Sequence, residues 1–335
     1  MNIEWSKLGF GFIQTRSNIR FNFKNGQWSE GKLHSDYDIT MSIAAQVFHY
    51  GQACFEGQKA FMGKDGKVRI FRPVENARRQ NATMRHLLMP EFPEKIYVEA
   101  MKKVVRDNID YVPPYGTGGA MYIRPVAFGT GPTIGVAPSD EYEFIIMAMP
   151  VGPYYKGGIK PVDAWVINDY DRAAPLGTGT IKCAGNYAAS LLPSKIAKDN
   201  HCPIPLFTDP KEHRYIDEFG TSNFIAVSKD GKYVTPKSGS ILPSITNKSL
   251  MQLAKDMGMP VECRPILKSE LPGFAEVGAC GTAVVLTPVG RIYDNGEVIS
   301  YDTEAIGPVL KKLYDEMTGI QYGEIADRHG WMVEV

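Results

Sequence analysis

Apolar residues along the 335-residue chain recur with two periods, and the changes between them mark out its elements. Alternating stretches such as Arg20-Phe21-Asn22-Phe23 and Lys67-Val68-Arg69-Ile70-Phe71 carry the period of two expected of strands. Four dipeptides stand beside stretches of this kind: Asn25-Gly26, Asp65-Gly66, Asp230-Gly231 and Asn295-Gly296. Their glycines supply the positive φ of a two-residue hairpin turn, which predicts antiparallel pairing at each. Helical spacing takes over at 73–88, where Pro73 opens the run and Ala77, Met84, Leu87 and Leu88 share a face. At 94–109 the stripe is Tyr97, Ala100, Met101, Val104 and Val105. Further helices are predicted over 186–199, with Pro193 in its first turns or at a kink, and over 306–317. Leu250, Leu253, Ala254 and Met257 line one over 246–257, with Gly258 and Pro260 as its stop. Ordinary core packing accounts for all these stripes.

The richest linker signal is 150–161, which holds three prolines and three glycines between two strand-like runs. It divides the chain into 1–149, a connecting loop over 150–161, and 162–335. Hairpins mixed with helices on both sides predict α+β domains and argue against a doubly wound parallel sheet.

Composition narrows the function. Lys plus Arg and Asp plus Glu both total 37, so the basic excess of a nucleic-acid binder is missing. The strongest apolar run, 144–151, is strand-sized and far short of a bilayer span, and the first residues lack a signal-peptide pattern. A soluble, cytoplasmic protein is therefore expected, with no nucleic-acid or membrane partner. Five scattered cysteines without a C-x-x-C pair signal neither a disulfide framework nor a zinc site. The six histidines likewise form no metal-ligand pair at helical spacing, so no metal is expected.

Two glycine-rich stretches fail as nucleotide motifs. In Gly177-Thr178-Gly179-Thr180-Ile181-Lys182, a phosphate loop would need Gly in place of Ile181 and Ser or Thr in place of Cys183. The 129–135 stretch has the wrong glycine spacing for a dinucleotide fingerprint. What remains unusual is Lys182 itself, set among glycines and small residues just before an apolar helix. Burial there would lower its pKa and free a neutral amine for imine chemistry. On periodicity alone a surface lysine is the favoured reading.

The neighbours decide between the two. His49-Tyr50-Gly51 with Phe55-Glu56-Gly57, Arg69-Ile70-Phe71-Arg72-Pro73 with Asn76 and Arg79, and Tyr122-Ile123-Arg124-Pro125 follow in order. After them come Arg172-Ala173-Ala174-Pro175, Lys182 with Gly185-Asn186-Tyr187, Tyr215-Ile216-Asp217-Glu218 with Asn223, and Gly281-Thr282-Ala283. Over about 50–319 this series resembles the branched-chain amino-acid aminotransferases, enzymes of fold-type IV that use pyridoxal 5′-phosphate. The resemblance implies an α+β two-domain fold, with a small α/β N-terminal domain and a larger pseudo-barrel C-terminal domain. It implies transfer of the amino group between leucine, isoleucine or valine and 2-oxoglutarate.

The resemblance also assigns roles. Lys182 would be the catalytic residue, holding the cofactor aldehyde covalently and moving a proton at the substrate. Glu218 would pair with the pyridine nitrogen and Tyr187 with the phenolic oxygen. Arg79, the start of the 246–257 helix at Ile245 and Thr246, and the Thr282 hydroxyl would bind the phosphate, although Arg78 and Arg85 are equal candidates by residue type alone. Tyr50 and Phe55 would wall the substrate pocket, with Tyr122, Thr282 and Ala283 at the α-carboxylate and Arg124 at the distal carboxylate of glutamate. Tyr154 would close the site. Tyr50 and the loop around Val136 would reach in from a second subunit, making a functional homodimer. Ser244, Asn247 and Ile225 depart from the family's usual residues around the phosphate loop, and Val151 stands where some relatives have Trp. Other enzymes of the same fold, acting on D-amino acids, (R)-amines or aminodeoxychorismate, are the alternative.

Overall fold

The computed structural model describes residues 3–153 and 158–335. Two compact units result: Met1–Tyr154 with Ile181–Gly185 and Gly319–Val335, and Tyr155–Thr180 with Asn186–Thr318. The division is not a single cut at the 150–161 loop. The tail joins the first unit because its strand Met332–Glu334 pairs antiparallel with Val68–Phe71. The 181–185 stretch joins it through a bridge between Cys54 and Cys183 and a bond from Phe55 N–H to the Lys182 carbonyl at 3.2 Å.

The first unit is a nine-stranded sheet, antiparallel in every pairing among the described residues. At its centre Ala120–Gly129 lies against Tyr142–Val151 over their full lengths. The second of these strands alternates between buried and half-buried residues, because each face meets different surroundings. Its fully buried face joins the core of the helices Pro73–His86 and Glu94–Asp107, where Phe144 packs against Phe92 and Tyr97 at centroid distances of 4.4 and 5.8 Å. The predicted stripe of the second helix is the set it buries: Tyr97, Ala100, Met101, Val104 and Val105. Register places Tyr122 opposite Met149 and Lys59, and Arg124 opposite Met147. Tyr122, Arg124 and Lys59 therefore share the opposite sheet face.

The second unit closes a ring of strands in the order Ile216–Phe219, Ile204–Thr208, Val162–Ile167, Val285–Asp294, Phe274–Gly281 and Asn223–Ser228, with the last pairing back to the first at Glu218 and Asn223. Val162–Ile167 pairs in parallel with both of its neighbours; the other pairings in the ring are antiparallel. Phe219, Phe224, Phe274, Leu206 and Ile292 fill its core.

Local chemistry explains where expectation and structure part. All four glycine dipeptides join antiparallel strands, but only Asn25-Gly26 and Asn295-Gly296 are two-residue turns with both residues at positive φ. At Asp65-Gly66 and Asp230-Gly231 the glycine alone has positive φ and the connection is longer. The predicted 186–199 helix is two helices, Ala184–Ala189 and Leu191–Asp199, and Pro193 sits in the first turn of the second, where its missing N–H costs nothing.

Candidate active site

In the first unit, the chemistry gathers around a buried carboxylate. Glu56 lies in the two-residue link between Ala53–Phe55 and Gln58–Met62 and is fully buried. Arg79, on the helix Pro73–His86, donates to it with both arms of a fork, Nε to Oε1 and Nη2 to Oε2, each at 2.7 Å. Asn76 donates to Oε2 at 2.8 Å. Burial by itself would raise the Glu56 pKa, but the Arg79 charge and these hydrogen bonds prevail, and the carboxyl stays below its ordinary value.

Lys182 is held by its backbone: its N–H donates to the Thr83 hydroxyl at 3.0 Å and its carbonyl accepts from Phe55. Its Nζ lies 4.8 Å from the Phe55 ring centroid. Burial, and then the nearby positive charge of Arg79, lower the amine pKa to about 8, against smaller opposing effects of Glu56 and Tyr122. The neighbouring groups that act on the amine, Arg79, Glu56, Tyr122 and Arg124, all belong to the first unit.

Arg124 stacks on the same Phe55 ring at 4.7 Å and donates to the Tyr122 hydroxyl at 2.9 Å. It has no carboxylate within ion-pair distance among the described residues, and its buried Nε makes no hydrogen bond. Gly57 makes this arrangement possible, since a Cβ there would meet the Tyr122 hydroxyl oxygen at 2.2 Å. Phe55, Tyr122, Arg124, Arg79 and Lys182 are therefore brought together. Tyr50 and Val136 belong instead to an exposed surface of the same unit, where the Tyr50 hydroxyl donates to the Ile134 carbonyl and Ile43, Phe48, Ile134 and Val136 stand open to solvent. Tyr154 lies outside the described residues.

In the second unit, Glu218 is fixed as an anion acceptor. Arg172 Nε lies 2.8 Å from its Oε1, the Leu242 N–H donates to Oε1 at 3.1 Å and Asn223 donates to Oε2 at 3.0 Å. Arg172 also donates to the carbonyls of Gly179, at 2.7 Å, and Ser240. Gly179 is a packing glycine: a Cβ there would meet the Ser240 Cα at 2.5 Å. That contact accounts for the second glycine of the stretch that failed as a phosphate loop. Because Arg172 and Glu218 are both almost fully buried, replacing Arg172 with Leu leaves an unpaired interior charge. We expect that variant to lose about 3–5 kcal/mol of unfolding free energy, measured by chemical denaturation; a loss under about 1 kcal/mol would show the pair to be dispensable.

The helix Ile245–Asp256 begins at Ile245 and Thr246, and Ser244 caps it by accepting the Asn247 N–H at 3.1 Å. Asn247 accepts from the Tyr233 hydroxyl at 2.7 Å and donates to Thr235 at 2.9 Å, so both departures from the family pattern have structural partners. Ile225 is fully buried in the ring's core strand, which suits its aliphatic side chain. Ser244→Ala is expected to lower stability by about 1 kcal/mol in a thermal melt, and an unchanged melt would remove the cap from the account. Thr282 and Ala283 form the turn between Phe274–Gly281 and Val285–Asp294, ahead of Val285 at φ 62°, a strained value for a β-branched residue. Tyr187 is half-buried on the helix Ala184–Ala189.

Sequence reasoning gave no role to Glu56, Thr83 or Arg172. Glu56 and Arg172 lie inside blocks that carried the resemblance, and an ionisable residue without a role in such a block was the available signal. Among the described residues no cluster of His, Cys, Asp or Glu could hold a metal, and no helix is long and apolar enough to cross a membrane. All five cysteines are free thiols.

Comparison with known proteins agrees with this picture. The Amino-transferase class IV family model matches residues 53–292. The branched-chain-amino-acid aminotransferase of Haemophilus influenzae is 46% identical, over 100% of this chain and 99% of its own. The Thermobaculum terrenum branched-chain amino acid aminotransferase in its PLP form superposes with a TM-score of 0.81 at 25% identity, covering 96% of this chain and 98% of that one. The Escherichia coli branched-chain amino acid aminotransferase gives a TM-score of 0.77 at 28% identity, covering 93% of this chain and 98% of that one. The chain thus belongs to the class IV aminotransferases with an α+β fold of type IV and, within them, to the branched-chain-amino-acid aminotransferases.

Proposed function

We propose that this protein exchanges the amino group between leucine, isoleucine or valine and 2-oxoglutarate, with pyridoxal 5′-phosphate as cofactor. The observation that carries the reading is Arg124: a partly buried cation without a carboxylate partner among the described residues, stacked on the ring that Lys182 also faces. An apolar wall suits an aliphatic side chain, and an arginine lacking its anion suits the distal carboxylate of glutamate.

The side chains present fit the cofactor chemically. Arg79, the first-turn N–H groups at Ile245 and Thr246, and the Thr282 hydroxyl are donors suited to a phosphate dianion. Glu218, paired with Arg172, suits a protonated ring nitrogen, and Tyr187 a phenolate oxygen. Pyridoxal phosphate, when bound, supplies the electron sink that makes a substrate Cα–H acidic. Lys182 does the proton work. With its pKa near 8, a useful fraction of its Nζ is neutral at physiological pH, able to take the proton from Cα of the amino donor and, in the second half-reaction, to deliver one to Cα of the acceptor. Tyr122 and the Thr282 and Ala283 N–H groups would orient the α-carboxylate, with Tyr154 as the closing residue.

The exposed apolar group of Ile43, Phe48, Ile134 and Val136 supports a homodimer in which this surface, with Tyr50, serves a partner's site. A cytoplasmic setting is part of the same proposal. A donor panel with bound-cofactor spectra tests the reading: yellow protein turning over L-leucine with 2-oxoglutarate is expected. Colourless protein after cofactor addition, or D-alanine turned over faster than L-leucine, would overturn it, the latter in favour of another enzyme of this fold.

A further inference from the structure

We infer that Glu56 is a positioning residue: it fixes the Arg79 guanidinium by one edge and counters its charge beside Lys182, and so governs how readily the Lys182 amine gives up its proton. The inference rests on the roles proposed above for Lys182 and Arg79. Its first support is geometric. Glu56 directly follows Phe55, the residue whose ring faces Nζ of Lys182 and whose N–H binds the Lys182 carbonyl. Its carboxylate takes Nε and Nη2 of Arg79, the Asn76 amide, and the Gly57 N–H at 3.3 Å. With those two nitrogens engaged, the guanidinium cannot swing, and its Nη1 edge keeps one direction.

The second support is electrostatic. Among the described residues of the first unit, the groups that act most on the Lys182 amine are Arg79 from the helix, Glu56 from the strand link, and Tyr122 and Arg124 from the central strand. Both arginines favour the neutral amine, whereas Glu56 and Tyr122 favour the charged one. Glu56 is the carboxylate among these four. A full charge in a buried setting acts on its neighbours far more strongly than it would in water. Removing it would leave Arg79 uncompensated and push the amine further towards its neutral form.

The test is the pH profile of Lys182 labelling by a small neutral aryl fluoride in the cofactor-free full-length protein, read by peptide mapping. Glu56→Gln keeps the shape and removes the charge. Its labelling midpoint is expected to fall by about one pH unit, a tenfold change in proton affinity, with Glu56→Asp between it and the native protein. A fall of more than about 0.3 unit supports the inference, and a smaller or upward move overturns it. If the Gln variant does not fold, the same criterion is applied to Glu56→Asp, which keeps the charge but draws it back by one methylene. Leucine transamination by the native protein is measured alongside. Turnover with an unmoved midpoint defeats only the role of Glu56, whereas absent turnover defeats the proposed function whatever the labelling shows.

Discussion

Lys182→Ala is expected to lower leucine transamination by at least about 10⁴-fold, the upper range for losing a positioned proton-transfer group, without unfolding the protein. The sign of the stability effect follows from the burial. With an amine pKa of about 8, the native state holds its proton less tightly than an unfolded chain, whose lysine titrates near 10.4. Stability should therefore rise with pH between those values, and below about pH 8 the native state carries the full cost of a charged, desolvated amine. Removing the amine removes that cost, so the cofactor-free variant should melt at the native temperature or higher at pH 7. A pH series of melts comparing the two proteins checks this, with a gap that closes as pH rises. A variant that melts far lower would make Lys182 a structural residue.

Arg124→Met should separate the two half-reactions. Its guanidinium lies on Phe55 and bonds Tyr122, but no protein carboxylate compensates it among the described residues. If a ligand carboxylate is its partner, losing the cation should reduce kcat/KM for 2-oxoglutarate roughly 30- to 3,000-fold, as for truncation of a buried charge pair. The leucine half-reaction should change by only a few-fold, because an aliphatic side chain makes no use of the charge. Single-turnover absorbance changes of the pyridoxal form with leucine, and of the pyridoxamine form with 2-oxoglutarate, distinguish the two. An equal fall in both would move Arg124 from specificity to general support of the site.

Much of the architecture was legible because its signals are local. The stripe at Tyr97, Ala100, Met101, Val104 and Val105 fixed a helix and its buried face, and Asn-Gly pairs fixed two tight turns. What was not legible depends on residues far apart in the chain. Nothing near 331–335 announces that the tail pairs with Val68–Phe71, and nothing near Lys182 announces that Thr83 and Phe55 hold its backbone. Pro193 shows the intermediate case: the residue was readable as a first-turn proline, but the break at Ser190 that creates the second helix was not.

The site divides in the same way. Lys182, Arg124 and Tyr122 could be named through the family resemblance that the ordered blocks carry, and the structure gathers them around Phe55. Their counter-ions could not. Glu56 meets Arg79 across 23 positions, and Arg172 meets Glu218 across 46, through folding that brings separate blocks together. Ser244 and Asn247 looked like departures in a phosphate loop; in the structure one caps a helix and the other ties two buried hydroxyls.

The account turns on which amine receives the cofactor. Reductive trapping of pyridoxal phosphate on the full-length protein with borohydride, followed by peptide mapping, addresses that directly. The account predicts a single labelled peptide carrying the tag on Lys182. A tag on Lys59, a buried lysine whose pKa is likewise lowered to about 8, or on any other lysine, or no tag at all, would contradict it.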